Sequence, residues 1–275
     1  MNNATTKMVY LHALTPVHSG TGQTVAVIDL PIAREKATGW PVLPASSLKG
    51  VVRSLLDPGK SDAMFGLLDK AGAACFGDQR MLLLPVRSFY GTFAYVTCPL
   101  AVQRLARDRR ALGLPALPAP PDVTGAGAAT TSASKLAKGG QVVLEDVDLK
   151  AEASEAASAL ATALADELFT EKDERQALLE RFVVVSDQAF GFLSGTATEV
   201  SARIALNDDG TTTGNGGNLW YEEAVPAEAV FAGPLIIEHR PGIDPQKLVD
   251  GIDGKLLQIG GKASVGRGLC RVRVQ

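Results

Sequence analysis

Apolar positions along this chain alternate near its two ends and recur at helical spacing between them. Residues 8–15 (MVYLHALT) are rich in β-branched and aromatic side chains and are stopped by Pro16, which predicts a first strand. Residues 24–30 (TVAVIDL) predict a second extended segment, ended by Pro31 because proline lacks a ladder donor, so Asp29 is placed at a strand end. Ser46 is the predicted N-cap of the run SLKGVVRSLL, in which Leu48, Val51, Val52, Leu55 and Leu56 share one helical face and Lys49 and Arg53 another. Residues 57–78 form a Gly- and Asp-dotted excursion with room for a short helix. Residues 81–98 read as a long strand or a hairpin, and Pro99 opens a helix to about Arg110.

Residues 111–140 hold no aromatic residue and no isoleucine, so they are expected to be a flexible insertion that buries too little apolar area to order itself. Residues 141–149 predict a strand and 151–181 acidic helices, whose eight Asp or Glu should face away from any polyanion. Residues 199–206 and 219–225 are strand-like and joined by NDDGTTTGNGGN, the pattern of a long hairpin with a flexible tip. A strand at 229–238, a helix at 245–257 and an alternating strand at 268–274 complete the chain. Strand, helix and strand at each end, without a repeated β-α spacing between, predict an α+β fold with helices on one face of an antiparallel sheet.

Composition narrows the class. A chain of 275 residues, 46% hydrophobic and 21% charged, suits one large domain and excludes long disorder, collagen-like repeats and a disulfide scaffold. No apolar run approaches the ~20 residues of a membrane span and the start lacks a secretory signal, so a cytoplasmic location is expected. Cys75, Cys98 and Cys270 lack the paired spacing of zinc or redox motifs and read as reduced core residues. His12, His18 and His239 are not spaced as on a metal-binding helix, which argues against a histidine-rich catalytic metal site. With a net charge of −3, any role with nucleic acid must rest on local basic clusters.

Two such clusters stand out. The run IGGKASVGRGLCRVR, residues 259–273, carries Gly260, Gly261, Gly266 and Gly268 with Lys262, Arg267, Arg271 and Arg273 and no acid. Glycines let backbone amides approach phosphate oxygens while neighbouring cations supply charge. A nucleotide P-loop is rejected, because Arg267 and Gly268 replace its Lys and Ser or Thr and too little chain follows for its helix. The plain alternative is a turn into an edge strand. Ser46, Ser47, Lys49 and Arg53 form the second cluster, at a helix start that favours phosphate; the alternative is a solvated face. In a split β-α-β arrangement the first helix and last strand are neighbours, so both clusters are expected to line one groove. Ser19-Gly20-Thr21-Gly22 lacks the third glycine of a dinucleotide fingerprint, and Asp29 and His18 taken singly read as a turn cap and a structural histidine.

Four segments, HALTPVHSGTGQTVAVIDLPIAREKATGWPVLPASSLKG, VRSFYGTFAYVTCPLAVQRL, LNDDGTTTGNGGNLWYEEAVP and LLQIGGKASVGRGLCRV, taken in order resemble one family. It is the RAMP superfamily, and within it the repeated backbone subunit of type III-B (Cmr) CRISPR effector complexes. The resemblance misses mainly residues 111–140 and the acidic region after Lys150. It implies a single RAMP domain over 1–275 with a ferredoxin-like, RNA-recognition-motif-like palm and a thumb hairpin at 199–225. Asn207, Asp208, Asp209, Asn215, Asn218 and Trp220 are the implied thumb residues. It further implies copies polymerising along a guide RNA, other Cmr-type subunits as partners, and metal-dependent cleavage of a paired target RNA at regular intervals, with Mg2+ or Mn2+ as the ion. Asp29 matches the position of the family's cleavage aspartate, and His18 is a weaker candidate for positioning substrate. The glycine run and the SSLKG helix start match elements that hold the guide backbone. Two alternatives remain: a non-catalytic architectural RNA-binding subunit, and a small-molecule enzyme with a closed apolar pocket.

Overall fold

Strand β1 (Ala4–Ala13) decides the layering. Its Met8 and Tyr10 belong to one buried apolar cluster, and its Val9, Leu11 and Ala13 to another on the opposite face. The sheet is therefore covered on both sides. The computed structural model describes residues 3–23, 27–56, 62–67, 69–205 and 219–275.

After β1 come α1 (Ala45–Leu56), the hairpin of β2 (Gln79–Arg87) and β3 (Phe93–Thr97), and α2 (Pro99–Ala111). Strands β4 (Gly127–Thr130), β5 (Gln141–Leu144) and β6 (Val147–Ala153) follow, then α3 (Glu155–Leu168), α4 (Lys172–Arg181), β7 (Phe182–Val185) and α5 (Asp187–Thr196). The chain then makes the hairpin of β8 (Glu199–Ile204) and β9 (Leu219–Ala224), and ends through β10 (Val230–Glu238), α6 (Pro245–Ile252), β11 (Leu256–Gln258) and β12 (Leu269–Val274). The main sheet runs β11-β12-β1-β10-β2-β3-β7-β4-β6-β5. Within it β12, β1, β10 and β2 are antiparallel neighbours, with α1 between β1 and β2 in the chain and α6 between β10 and β12. Everything from β3 to β9 is inserted between β2 and β10, which otherwise pair directly.

The α+β class holds, with two corrections. The sheet is mixed, because β7 runs parallel to β3 and β6 parallel to β4. Parallel neighbours need a long crossover: α2, α3 and α4 lie within the one from β3 to β7, while residues 131–146, with β5, make the one from β4 to β6. Helices cover both faces: Leu48 of α1, Phe190 of α5 and Ile252 of α6 pack on one side, and Val102 of α2, Leu164 of α3 and Leu178 of α4 on the other. The apolar run in β1 reflects burial on both faces, a pattern that period-two alternation does not separate.

Residues 111–140 are not the unpacked insertion expected. β4 lies between β6 and β7, and Ala128, Ala129, Thr130 and Leu136 are buried. Their small side chains order because the neighbouring strands supply both the ladder and the apolar area, which local composition does not register. β7 (FVVV), wholly buried, went unread because four residues are too few to show a period, and the ten-residue α5 went unread as well. Residues 27–30 form a bend with one bridge from Leu30 to Glu222 and no strand, while 24–26 lie outside the described residues. The last helix ends at Ile252, where Gly254 turns with φ 69° into β11. Among the described residues no helix is long and apolar enough to cross a membrane.

Candidate nucleic-acid interface

The start of α1 meets the C-terminal glycines, as expected. Ser46, Ser47 and Gly50 of α1 face Ser19, Gly20, Gly260 and Gly261 around one open concavity. Ser46 is not the cap, because the helix begins at Ala45, whose amide N–H donates to Asp78 Oδ1 at 2.8 Å. The glycines are needed for close chain packing. Gly260 has φ 83°, and a Cβ there would stand 2.4 Å from the His18 carbonyl oxygen, which accepts the Gly261 N–H at 2.8 Å. Gly268, also at φ 83°, would place a Cβ 2.0 Å from the Ile259 carbonyl oxygen. Gly266 takes the same left-handed region in the return to β12, which is an inner strand between β11 and β1.

The charges do not gather where the backbone does. Lys49 is half-buried, lies off the lining of the concavity and has no ion pair among the described residues. Arg53 Nη1 donates to the Gly66 carbonyl at 3.0 Å. Lys262 Nζ lies 2.6 Å from Glu222 Oε1, and Arg267 Nη1 3.1 Å from Glu199 Oε2, so these two cations of the glycine run are paired with the hairpin β8–β9. Arg271 engages both Glu174 oxygens at 2.7 and 2.8 Å, and Arg273 pairs with Asp253. The concavity is therefore walled mainly by hydroxyls and backbone, while Lys262 and Arg267 meet the hairpin and Arg271 and Arg273 meet Glu174 and Asp253.

Asp29 stands at that same base. Its Oδ2 accepts the Tyr221 amide N–H at 2.8 Å, the Leu30 N–H donates to the Tyr221 carbonyl at 3.0 Å, and the Glu223 N–H donates to the Leu30 carbonyl at 3.0 Å. The bend carrying Asp29 is thus docked on β9. Buried Glu223 fixes the next residues, since its carboxylate accepts the Ile32 N–H at 3.1 Å, Arg34 Nη2–H at 2.5 Å and the Thr198 hydroxyl at 2.9 Å. Arg34 Nη1 also donates to the Gly39 and Ser194 carbonyls, each at 2.9 Å, tying the bend to the end of α5. Buried His18 donates Nδ1–H to the Glu223 carbonyl at 2.6 Å, the carbonyl being acceptor only. His18 therefore braces the hairpin against the glycines.

Glu222, on the other side of β9, is buried as well. Burial opposes its ionisation, but the Lys262 ammonium, the Trp220 indole N–H at 2.8 Å and Arg203 outweigh it and hold its carboxyl below the usual range. Trp220 is therefore an internal brace of the hairpin. The hairpin's outward face carries exposed Val200, Ile204, Leu219 and Tyr221. Asn207, Asp208, Asp209, Asn215 and Asn218 lie outside the described residues. Sequence reasoning passed over Glu222, Glu223 and Arg34, although adjacent acids inside a strand whose neighbours are apolar were a readable signal.

Among the described residues no three His, Cys, Asp or Glu side chains converge on a point where an ion could sit. Asp29 offers one carboxylate, already engaged on one oxygen, and the donor set does not make a metal site by itself.

The RAMP superfamily model matches residues 10–271. The CRISPR system Cmr endoribonuclease Cmr4 of Pyrococcus furiosus is 32% identical over 284 residues, covering 98% of this chain and 95% of that protein. Oligomeric Cmr4 from Pyrococcus furiosus has a similar crystal structure, with a TM-score of 0.77 at 26% identity over 98% of this chain and 97% of that one. A chain of the type III-B Cmr-beta complex bound to cognate target RNA shares the fold, with a TM-score of 0.74 at 20% identity over 99% and 98% of the two chains. A match that runs through both terminal strands and the hairpin between them identifies the lineage: the chain belongs to the RAMP superfamily and, within it, to the Cmr4 family.

Proposed function

We infer that the chain is a repeated backbone subunit of a type III-B CRISPR effector, one that holds a guide RNA, assembles with further copies of itself and with other Cmr-type subunits, and cleaves the paired target RNA. The family relationship and the endoribonuclease named among its relatives support this reading. We read 1–275 as one RAMP domain. The strand order β12-β1-β10-β2, with α1 and α6 as its two crossovers, is that of a ferredoxin-like palm, and β8–β9 is its thumb.

One observation carries the reading: Asp29 is mounted on the root of the thumb, so whatever strand the thumb deforms is presented to this carboxylate. A thumb that displaces a target nucleotide frees the neighbouring 2′-hydroxyl for in-line attack on its phosphate. The proton passes from that hydroxyl to the carboxylate, the P–O5′ bond breaks, and the products are a 2′,3′-cyclic phosphate and a 5′-hydroxyl protonated by solvent. The alcove of Ser46, Ser47, Gly260 and Gly261 takes guide backbone, with Lys49, which has no ion pair among the described residues, as the nearest such cation in sequence. The divalent ion implied by resemblance enters no step here, because the described donors do not build its site.

The test is reconstitution with guide and target RNA. Products at regular spacing, as many as there are copies of this chain, are expected; uncut target in an assembled complex would mark a purely architectural subunit. Adding a chelator to the same reaction decides whether an ion is required. Replacing Lys49 with alanine is expected to weaken guide binding evenly across sequences and to lower the salt slope by about one. An unchanged slope would remove Lys49 from the interface.

A further inference from the structure

We propose that Lys262 is a positioning residue for cleavage, acting through Glu222 on the placement of Asp29, and is not a contact to RNA phosphate. This rests on the reading of Asp29 as the cleavage residue.

The first sign is in the backbone. Lys262 sits at φ 66°, in the left-handed region that its neighbours Gly260 and Gly266 occupy without strain. A glycine would suit the position at no steric cost, so a lysine there points to a use for its side chain. That side chain reaches Glu222 Oε1 at 2.6 Å. Glu222 is buried, and its remaining cation, Arg203, stands 3.5 Å away. Drawing the ammonium off to a phosphate would take the shorter of two ion pairs from a buried carboxylate and leave it with Arg203 and the Trp220 N–H, an unfavourable exchange.

The second sign is where this pair leads. Glu222 adjoins Tyr221, whose N–H is held by Asp29, and Leu30 bridges to Glu222 itself. On the far side of the lysine, Gly261 is bonded to His18, which holds the Glu223 carbonyl. Lys262 therefore ties the palm's C-terminal segment to the strand on which Asp29 rests. Arg267 with Glu199 makes a parallel tie to the other strand of the hairpin. A carboxylate displaced by about 1 Å loses on the order of a hundredfold in rate.

The experiment uses the full chain assembled with guide and target RNA, comparing Lys262→Gly, Lys262→Arg, Glu222→Gln and the Lys262→Gly/Glu222→Gln pair. Glycine suits the backbone, so folding is retained. The single-turnover cleavage rate of Lys262→Gly should fall by about tenfold to a hundredfold, with guide affinity within about twofold and its salt slope unchanged. Lys262→Arg should recover most of the rate, and the double variant should be no slower than the worse single one. In the RNA-free chain, Tyr221 amide hydrogen exchange should quicken in Lys262→Gly. A salt slope lower by about one, with full cleavage by the bound complex, would make Lys262 the phosphate partner and overturn the proposal. Cleavage that survives Asp29→Ala sinks the underlying reading instead. An inactive Asp29→Ala beside a fully active Lys262→Gly sinks this proposal alone.

Discussion

Asp29→Ala is expected to lower target RNA cleavage by about 10²- to 10⁴-fold, the contribution of a positioned general base. Guide and target affinities should stay within about twofold, because among the described residues the carboxylate makes one hydrogen bond, to the root of the hairpin. Asp29→Asn sharpens the test. Its amide oxygen still accepts the Tyr221 N–H, so the bend stays docked while proton-accepting capacity is lost. Both variants should therefore be inactive, and Asn should match the parent in thermal unfolding. Full cleavage by Asp29→Asn would show that the side chain holds the bend and takes no proton. Parallel loss of RNA binding would make it a structural cap.

The second large effect concerns stability. Glu223 is buried, and among the described residues its one ion-pair partner is Arg34. Arg34→Met leaves that carboxylate desolvated and unpaired, and also releases the Gly39 and Ser194 carbonyls. Breaking a buried pair from one side costs about 3–5 kcal/mol, a large part of the stability of a typical domain. Urea unfolding of the full chain measures it. Glu223→Gln should cost less, because the amide can keep a bond to the Thr198 hydroxyl and Arg34 keeps its carbonyls. The double variant should be more stable than the two single losses added together, since the unpaired charge is gone. A loss below about 1 kcal/mol for Arg34→Met would mean that the pair behaves like a solvent-screened surface bridge.

How much was legible differs by element. The terminal strands, α1, α2 and the hairpin β8–β9 could be read because each carries its own period or turn chemistry, and their bounds shifted by only a few residues. Asp29 and the glycine run were singled out from residue type and from family resemblance together. β4 and β7 could not be read: one is a run of Gly, Ala and Thr, the other four residues long, and both owe their order to the strands beside them.

The contrast is sharpest at the candidate site. The amino-acid pattern alone determined that strands lie near both ends of the chain and that a helix start and a glycine-rich return lie near them; resemblance to a known family added that the chain is RAMP-like. Which carboxylate each cation meets was decided by the tertiary structure. Arg34 finds Glu223 across 189 positions, Lys262 finds Glu222 across 40 and Arg267 finds Glu199 across 68. An ion pair's strength depends on separation in space and on burial, and neither is encoded in the local sequence around a lysine or an arginine. Lys262 and Arg267, which the local sequence reads only as cations beside glycines, are thus, once folded, paired with acids of the hairpin.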